Sequence, residues 1–292
     1  MNKRNRFTEK EIELLKEHWP TGNRAALKPV LDRHPWCSIK RKSNGMGLTR
    51  NRRGHPVNES FFSAWSPEMA YILGYTFADG NIKGLAGKQS VWWYWSVYSA
   101  DKHIVEDIAN AVEWGGKIYE SNNSNHFGTK TMYRLVIGSN ELVSDLIKLG
   151  IEPNKAKTMQ HPNIPNRFIS HFMRGYFDGD GSIGWTKPNG LSYISVGLGS
   201  ASCDFVSWVA DVIGNVLSVC PPSIHKRAKK DFWEFHFSGK NAKRWLNFMY
   251  QDATILLHRK HKIYQIADDC GRHPSTKPKF TMSFSKRWSG HS

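Results

Sequence analysis

The chain is short of negative charge, of cysteine and of long apolar runs. Among 292 residues, 25 Asp and Glu stand against 41 Lys and Arg, a net charge of +16. Such a surplus draws polyanions toward the surface by long-range attraction and says nothing about fold. The four cysteines, Cys37, Cys203, Cys220 and Cys270, include no C-x-x-C pair. Neither a zinc ribbon nor a disulfide framework is indicated, and reduced thiols of a cytosol are the default. Met1 to Arg6 leads into a charged segment without the apolar core of a signal peptide, and no apolar run approaches membrane-spanning length. The expectation is a soluble, intracellular protein of a bacterial, phage-host or organellar compartment, with no membrane partner.

What is abundant is aromatic residues, 12 Trp, 10 Tyr and 15 Phe, enough for a sizeable core. The length suits two or three units. Residues 1–54 carry 14 Lys and Arg against 5 Asp and Glu. Residues 55–67, rich in turn residues, read as a linker. Residues 68–160 and 161–270 carry two copies of one pattern, and 271–292 form a basic tail.

The repeat is the most informative feature. Gly74-Tyr75-Thr76-Phe77-Ala78-Asp79-Gly80 corresponds to Gly175-Tyr176-Phe177-Asp178-Gly179-Asp180-Gly181, 101 residues later. At the same offset Ser99-Ala100 matches Ser200-Ala201, and the helical pattern from Ile104 matches that from Phe205. Farther on, Tyr133 to Ile137 resembles Trp233 to Phe237, one residue out of step. Each copy reads as a helix ending at Asp-Gly, a hairpin containing the β-branched and aromatic runs Val91 to Tyr98 or Leu191 to Leu198, and a helix at 101–113 or 202–217. A second hairpin at 117–137 or 224–237 and a closing helix at 140–149 or 240–252 complete it. The fold class is therefore α+β, with αββαββα order twice. Antiparallel sheets covered by helices on one face leave the other face open.

The two Asp-Gly helices carry small residues four apart, Gly74 and Ala78, then Gly175 and Gly179. That spacing forms a flat stripe along which two helix backbones can approach. Glycine inside a helix costs about 1 kcal/mol relative to alanine, so close packing is the expected return. The terminal glycines Gly80 and Gly181 read as left-handed helix stops. Asp79 and Asp180 occupy the helix end that carries partial negative charge. Packing the two ends together crowds two carboxylates, which bound divalent cations with oxygen ligands would relieve; Mg²⁺ suits carboxylate, water and phosphate.

Ile72 to Gly80 and Met173 to Gly181 resemble the two motifs of a single-chain LAGLIDADG homing endonuclease, and the resemblance covers about 68–270. It implies that a monomer cuts double-stranded DNA at a long asymmetric site, leaving short 3′ overhangs. It makes Asp79 and Asp180 the metal-binding acids, with the carbonyls of Ala78 and Gly179 as further ligands for Mg²⁺, or for Mn²⁺ or Ca²⁺ in the same places. The sixth motif position is acidic in copy two, Asp178, but Phe77 in copy one; in this family that position is variable. Lys155 and Lys260 lie 76 and 80 residues beyond their aspartates. The resemblance assigns them to polarising the attacking water or stabilising phosphate charge, with Arg259 as a rival to Lys260.

The open sheet faces would then lie over the DNA, with Lys226, Arg227, Lys229 and Lys230 on the second hairpin of copy two contacting phosphates. Trp92, Trp93 and Trp95 divide between core and DNA faces according to strand register. In residues 1–54, Thr8-Glu9-Lys10-Glu11 is a capping box opening a helix. A second helix is expected at 23–33, and Ser38 can cap a third, at 39–45. Three helices with a basic third one resemble a Myb/SANT-like helix-turn-helix module, which implies DNA contact by Lys40, Arg41 and Lys42. Two rivals share the scaffold: a maturase acting on intron RNA, and a transcription regulator that binds DNA without cutting it. An intein is disfavoured by Met1 and Ser292 at the ends.

Overall fold

The computed structural model describes residues 6–19, 26–48, 55–86, 91–125, 128–153, 158–228 and 230–275. The chain divides into two compact units, Met1–Pro56 and Val57–Ser292.

The described residues of the first unit hold three helices, α1 (Glu9–His18), α2 (Lys28–Leu31) and α3 (Trp36–Gly45). The capping box forms: the Glu11 amide donates to Thr8 Oγ1 at 3.3 Å and the Thr8 amide to Glu11 Oε2 at 2.7 Å. Leu15, Trp19, Leu27, Val30 and Ile39 make the core. Arg33 ties the α2–α3 turn to α1 through Glu11, at 2.6 Å. Two expectations change. The described part of the second helix is a single turn. The third helix starts at Trp36, with Pro35 as its N-cap and Ser38 inside its first turn, because the fixed φ of Pro35 ends the preceding turn and needs no side-chain cap.

The second unit contains α4 (Pro67–Asp79), β1 (Gly80–Ala86), β2 (Val91–Ser99), α5 (Lys102–Ala111), β3 (Tyr119–Asn125), β4 (Gly128–Gly138) and α6 (Asn140–Lys148). The pattern then recurs as α7 (Ile169–Asp180), β5 (Ser182–Thr186), β6 (Tyr193–Ser200), α8 (Cys203–Leu217), β7 (His225–Lys226), β8 (Trp233–Ser238) and α9 (Gly239–Tyr250). A further helix, α10 (His258–Ile266), was not expected from the repeat. The two antiparallel sheets have the orders β1-β2-β4-β3 and β5-β6-β8-β7. The first hairpins share one register, Asn81 opposite Ser96 and Ser182 opposite Gly197. The central pairs differ by the residue seen in the sequence, Ser99 opposite Tyr133 and Ser200 opposite Trp233.

One continuous core runs through both repeats, with α4 and α7 at its centre; nine consecutive residues of α4, Met69 to Phe77, are buried. The stretch read as a linker belongs to this core. Phe62 is buried edge-on against Trp95, ring centroids 5.4 Å apart. The start of the tail is also pinned: the Ile194 amide donates to the Gly271 carbonyl at 2.7 Å and the His273 amide to the Ser192 carbonyl at 2.8 Å. Among the described residues no helix is long and apolar enough to cross a membrane.

Candidate active site

The small-residue stripes bring α4 and α7 into backbone contact. A Cβ on Gly74 would overlap the carbonyl oxygen of Phe172, and one on Gly175 would overlap that of Tyr71. Phe172 and Tyr71 are themselves 101 residues apart, so the contact is reciprocal and two-fold-like. One turn farther along, a Cβ on Gly179 would overlap Cβ of Ala78 and stand 3.4 Å from Asp79 Oδ2. The C-terminal turns therefore meet at Ala78 and Gly179, with Asp79 of one helix beside the backbone of the other.

Tyr75 and Tyr176 fix each helix to its own sheet. Tyr75 Oη donates to the Tyr98 carbonyl at 3.3 Å, and Tyr176 Oη to the matching Gly199 carbonyl at 2.8 Å. Burial raises both phenol pKa values, and the next contribution is the negative field of Asp79 at Tyr75 and of Asp180 at Tyr176.

Asp79 and Asp180 stand at the solvent-accessible ends of otherwise buried helices. Gly80 and Gly181 do not adopt the expected left-handed stop: φ is −87° and −73°, and both helices pass directly into strands. Glycine is required there for space, because a Cβ would run into Thr76 at Gly80 and into Phe177 at Gly181. The direct helix-to-strand passage leaves each carboxylate at the exit.

Asp79 lines a cleft of about 670 Å³ with Tyr75, Tyr98, Asp101, Lys130 and Arg259. Arg259 Nε lies 3.0 Å from Asp101 Oδ2, joining the start of α10 to the start of α5. The neighbouring His103 and His258 rings stack at 4.0 Å. Lys260 is 2 % exposed. Its ammonium donates to the carbonyls of Asp178 (3.0 Å), Gly181 (2.6 Å) and Phe177, and so neutralises the negative end of α7 beside Asp180. Burial draws its pKa down to about 8, opposed by Asp178 and, more weakly, by both Asp79 and Asp180. It is thus mostly charged at neutral pH. Lys155 lies outside the described residues.

The donor set suits a hard divalent cation: two carboxylates from abutting helix ends, with the Ala78 and Gly179 carbonyls adjacent. Among the described residues no group of three or more His, Cys, Asp and Glu gathers as for a transition metal.

The open sheet faces differ in chemistry. In the first repeat Trp95 and Val97 point to the core, so the alternate residues Trp92 and Tyr98 point outward; Trp93 is half-buried on the core side. Pairing places Lys83, Lys130, Arg134 and Tyr119 on the same outward face. Arg134 lies over the Tyr98 ring at 5.0 Å. No acid occupies that face among the described residues. The second repeat presents Ser195, Gly197, Glu234 and His236 instead.

Two residues of the basic run on β7 and the following turn, Lys226 and Arg227, form ion pairs. Lys226 pairs with Asp231 at 3.1 Å and shares the helix-covered side with its strand partner Trp233. Arg227 grips Glu234 with two bonds, at 2.8 and 2.7 Å, and holds its carboxyl below the usual range. Lys230 is exposed and Lys229 lies outside the described residues. In the first unit, Lys40 and Arg41 are exposed on α3 and Lys42 is half-buried, while Ile39 and Ser43 turn inward.

Sequence reasoning noted Asp178 as the acidic sixth position of the second motif and gave it no role. Asp178 is 1 % exposed and its carboxylate accepts from Tyr71 Oη (2.9 Å), Tyr250 Oη (3.3 Å) and the Leu257 amide (2.8 Å). The available signal was an acid where the first copy has Phe77, inside an otherwise apolar helix.

No family model matches the chain, and no curated protein does. Solved structures with which it aligns include the I-SmaMI meganuclease bound to uncleaveable DNA, at 14% identity and TM-score 0.47 over 68% of this chain and 88% of that one. They also include I-SmaMI bound to an uncleaved DNA target in the presence of calcium ions, at 14% identity and TM-score 0.44 over 70% and 92%. A third is the I-LtrWI LAGLIDADG homing endonuclease bound to target DNA, at 11% identity and TM-score 0.43 over 71% and 89%.

Proposed function

We propose that this chain is a divalent-metal-dependent endonuclease that cuts double-stranded DNA at a long asymmetric site. The observation that carries the reading is the abutment of two helix ends at Ala78 and Gly179, each followed by a solvent-accessible aspartate. Two carboxylates beside two negative helix ends repel one another, and a bound Mg²⁺ relieves that repulsion. When bound, the cation supplies Lewis-acid activation of water and of the phosphodiester.

The chain's own residues supply the rest. Asp79 and Asp180, with the Ala78 and Gly179 carbonyls, hold divalent cations where the α4 and α7 ends abut. Lys260 neutralises the α7 end and keeps Asp180 in place, and Lys155 serves the other half. Arg259, on the cleft wall near Asp79, faces a phosphate. Lys83, Lys130 and Arg134 on the open face of the first repeat bind the DNA backbone, and Lys40, Arg41 and Lys42 extend the contact from the N-terminal unit. With one carboxylate site per strand, a single monomer makes a staggered break with 3′ overhangs.

The test is cutting of a randomised duplex library in Mg²⁺, with the new ends sequenced. The expected result is paired ends with a fixed 3′ stagger, abolished by EDTA and by either Asp79→Asn or Asp180→Asn. Full cutting by either variant, or no cutting by the wild type in Mg²⁺ or Mn²⁺, overturns the reading. Tight binding of a structured intron RNA without DNA cutting points instead to a maturase.

A further inference from the structure

At two buried positions of the motif helices, 73/174 and 77/178, an apolar side chain in the first is replaced by a guanidinium or a carboxyl group in the second. In α4 these are Leu73 and Phe77, both buried; Phe77 packs on Phe172 and Phe205 at ring distances of 5.3 and 5.9 Å. In α7 they are Arg174 and Asp178, also buried, one turn apart. Arg174 donates from Nε to the Ile255 carbonyl at 2.9 Å and from Nη1 to the Met249 carbonyl at 2.7 Å. Asp178 accepts from Tyr250 and from the Leu257 amide on the same stretch, and from Tyr71 across the helix pair. Two side chains thus clamp residues 249–257 by four hydrogen bonds. That stretch runs straight into the first turn of α10, which carries Arg259 and Lys260.

The molecule contains its own control. Leucine and phenylalanine fill the same places in the first repeat, both buried in the shared core. Burying a carboxylate and a guanidinium instead brings a desolvation penalty that apolar side chains avoid, and buried charges of this kind are best rationalised where they fix a register. The register fixed here is that of Arg259 in the Asp79 cleft and of Lys260 against the α7 end.

We infer that Arg174 and Asp178 are positioning residues for Arg259 and Lys260: the hydrogen-bonded clamp holds the approach to α10, and with it the side chain in the Asp79 cleft and the one against the α7 end. This rests on the endonuclease reading above, but its structural half does not. Loss of the clamp loosens Arg259 beside Asp79 and Lys260 beside the α7 end together, so cutting of both strands should slow while DNA affinity holds.

The test uses the full chain with Arg174→Met and Asp178→Val together, a pair of nearly conserved volume. Amide exchange is expected to rise at least tenfold in 251–266 and to stay unchanged in α4 and α5. On a supercoiled plasmid bearing the target, cutting of both strands is expected to slow at least tenfold with DNA affinity unchanged. Unchanged exchange in 251–266, an equal rise throughout the core, or an unchanged cutting rate overturns the inference. Should the double variant not fold, Asp178→Asn decides it: the amide keeps one acceptor, and cutting slowed at least threefold at unchanged affinity is expected, an unchanged rate overturning it. If the wild type cuts no DNA, the endonuclease reading falls while the exchange result still decides whether the clamp exists.

Discussion

The carbonyl oxygen of Tyr71 occupies the space that a β-carbon on Gly175 would need, and Phe172 does the same to Gly74. Backbone meets backbone at both points, so neither neighbour can yield by changing a rotamer. Gly175→Ala is therefore expected to destabilise the second unit by about 1–3 kcal/mol or more, the usual cost of overpacking. Urea unfolding of the full chain measures it. A variant within about 0.5 kcal/mol of wild type, the range of an ordinary surface substitution, means that the helices do not cross this closely.

Asp79 and Asp180 are expected to act on the reaction rather than on DNA affinity. Loss of a metal-binding carboxylate removes several kcal/mol of transition-state stabilisation, and each 1.36 kcal/mol is tenfold, so cutting should fall by roughly 10²–10³-fold or more. Gel-shift affinity in Ca²⁺ or EDTA should change little, since neither side chain is placed on a sheet face. Affinity falling in step with cutting would contradict this division.

Lys260 donates to three carbonyls from a buried position. Lys260→Met is expected to cost about 3 kcal/mol, because a charge-assisted network is broken and carbonyls are left without a partner. Arg in its place should not rescue, since a planar fork cannot address three convergent acceptors as an ammonium does. Denaturation midpoints of the three proteins check this, and a stable Met variant would contradict the buried geometry.

Among the described residues the cations of the first sheet face meet no carboxylate on that face, whereas Lys226 and Arg227 pair with Asp231 and Glu234. Joint replacement of Lys83, Lys130 and Arg134 by Ala should lower the slope of log affinity against log salt by about 0.9 for each phosphate no longer neutralised. Replacing Lys226 and Arg227 should lower it much less. The salt titrations need only a bound duplex, and equal slopes for the two sets would refute the assignment.

Glu11 gives the N-terminal unit a pH dependence. Burial alone would raise its carboxyl, but the Thr8 amide, then Arg33 and the Thr8 hydroxyl, hold it below the ordinary value. A carboxylate depressed in the folded state contributes stability above its unfolded pKa, and that stability is lost as pH falls through the folded one. Amide protection across α1 to α3, corrected for intrinsic exchange, should therefore weaken as pH falls from neutral through the carboxylate range. Glu11→Gln should be weaker at neutral pH and show a flatter acid limb; a wild-type acid limb in that variant would assign the effect elsewhere.

Much of the fold and of the site was legible in residue order. The glycine stripes announced close helix contact, because no other residue leaves backbone bare at that spacing. The one-residue slip between Tyr133 and Trp233 reappears as a shifted pairing, because antiparallel register is counted residue by residue. Gly80 and Gly181 misled, since glycine also serves where a chain passes too close to its own previous turn. Lys226 and Arg227 were legible as cations of a hairpin, but their ion pairs with Asp231 and Glu234 form only once that hairpin folds back.

Sequence by itself determined that two similar halves exist, that small residues line one helix of each, and that each such helix ends in an aspartate. Those properties depend on local spacing and on side-chain size. Only the tertiary structure decided that Asp178 and Arg174 clamp the approach to Arg259 and Lys260, and that α10 exists to carry them. Their partners on that approach lie 72 to 81 residues away in the chain, and a buried charge becomes intelligible only when the groups that satisfy it have been brought alongside by folding.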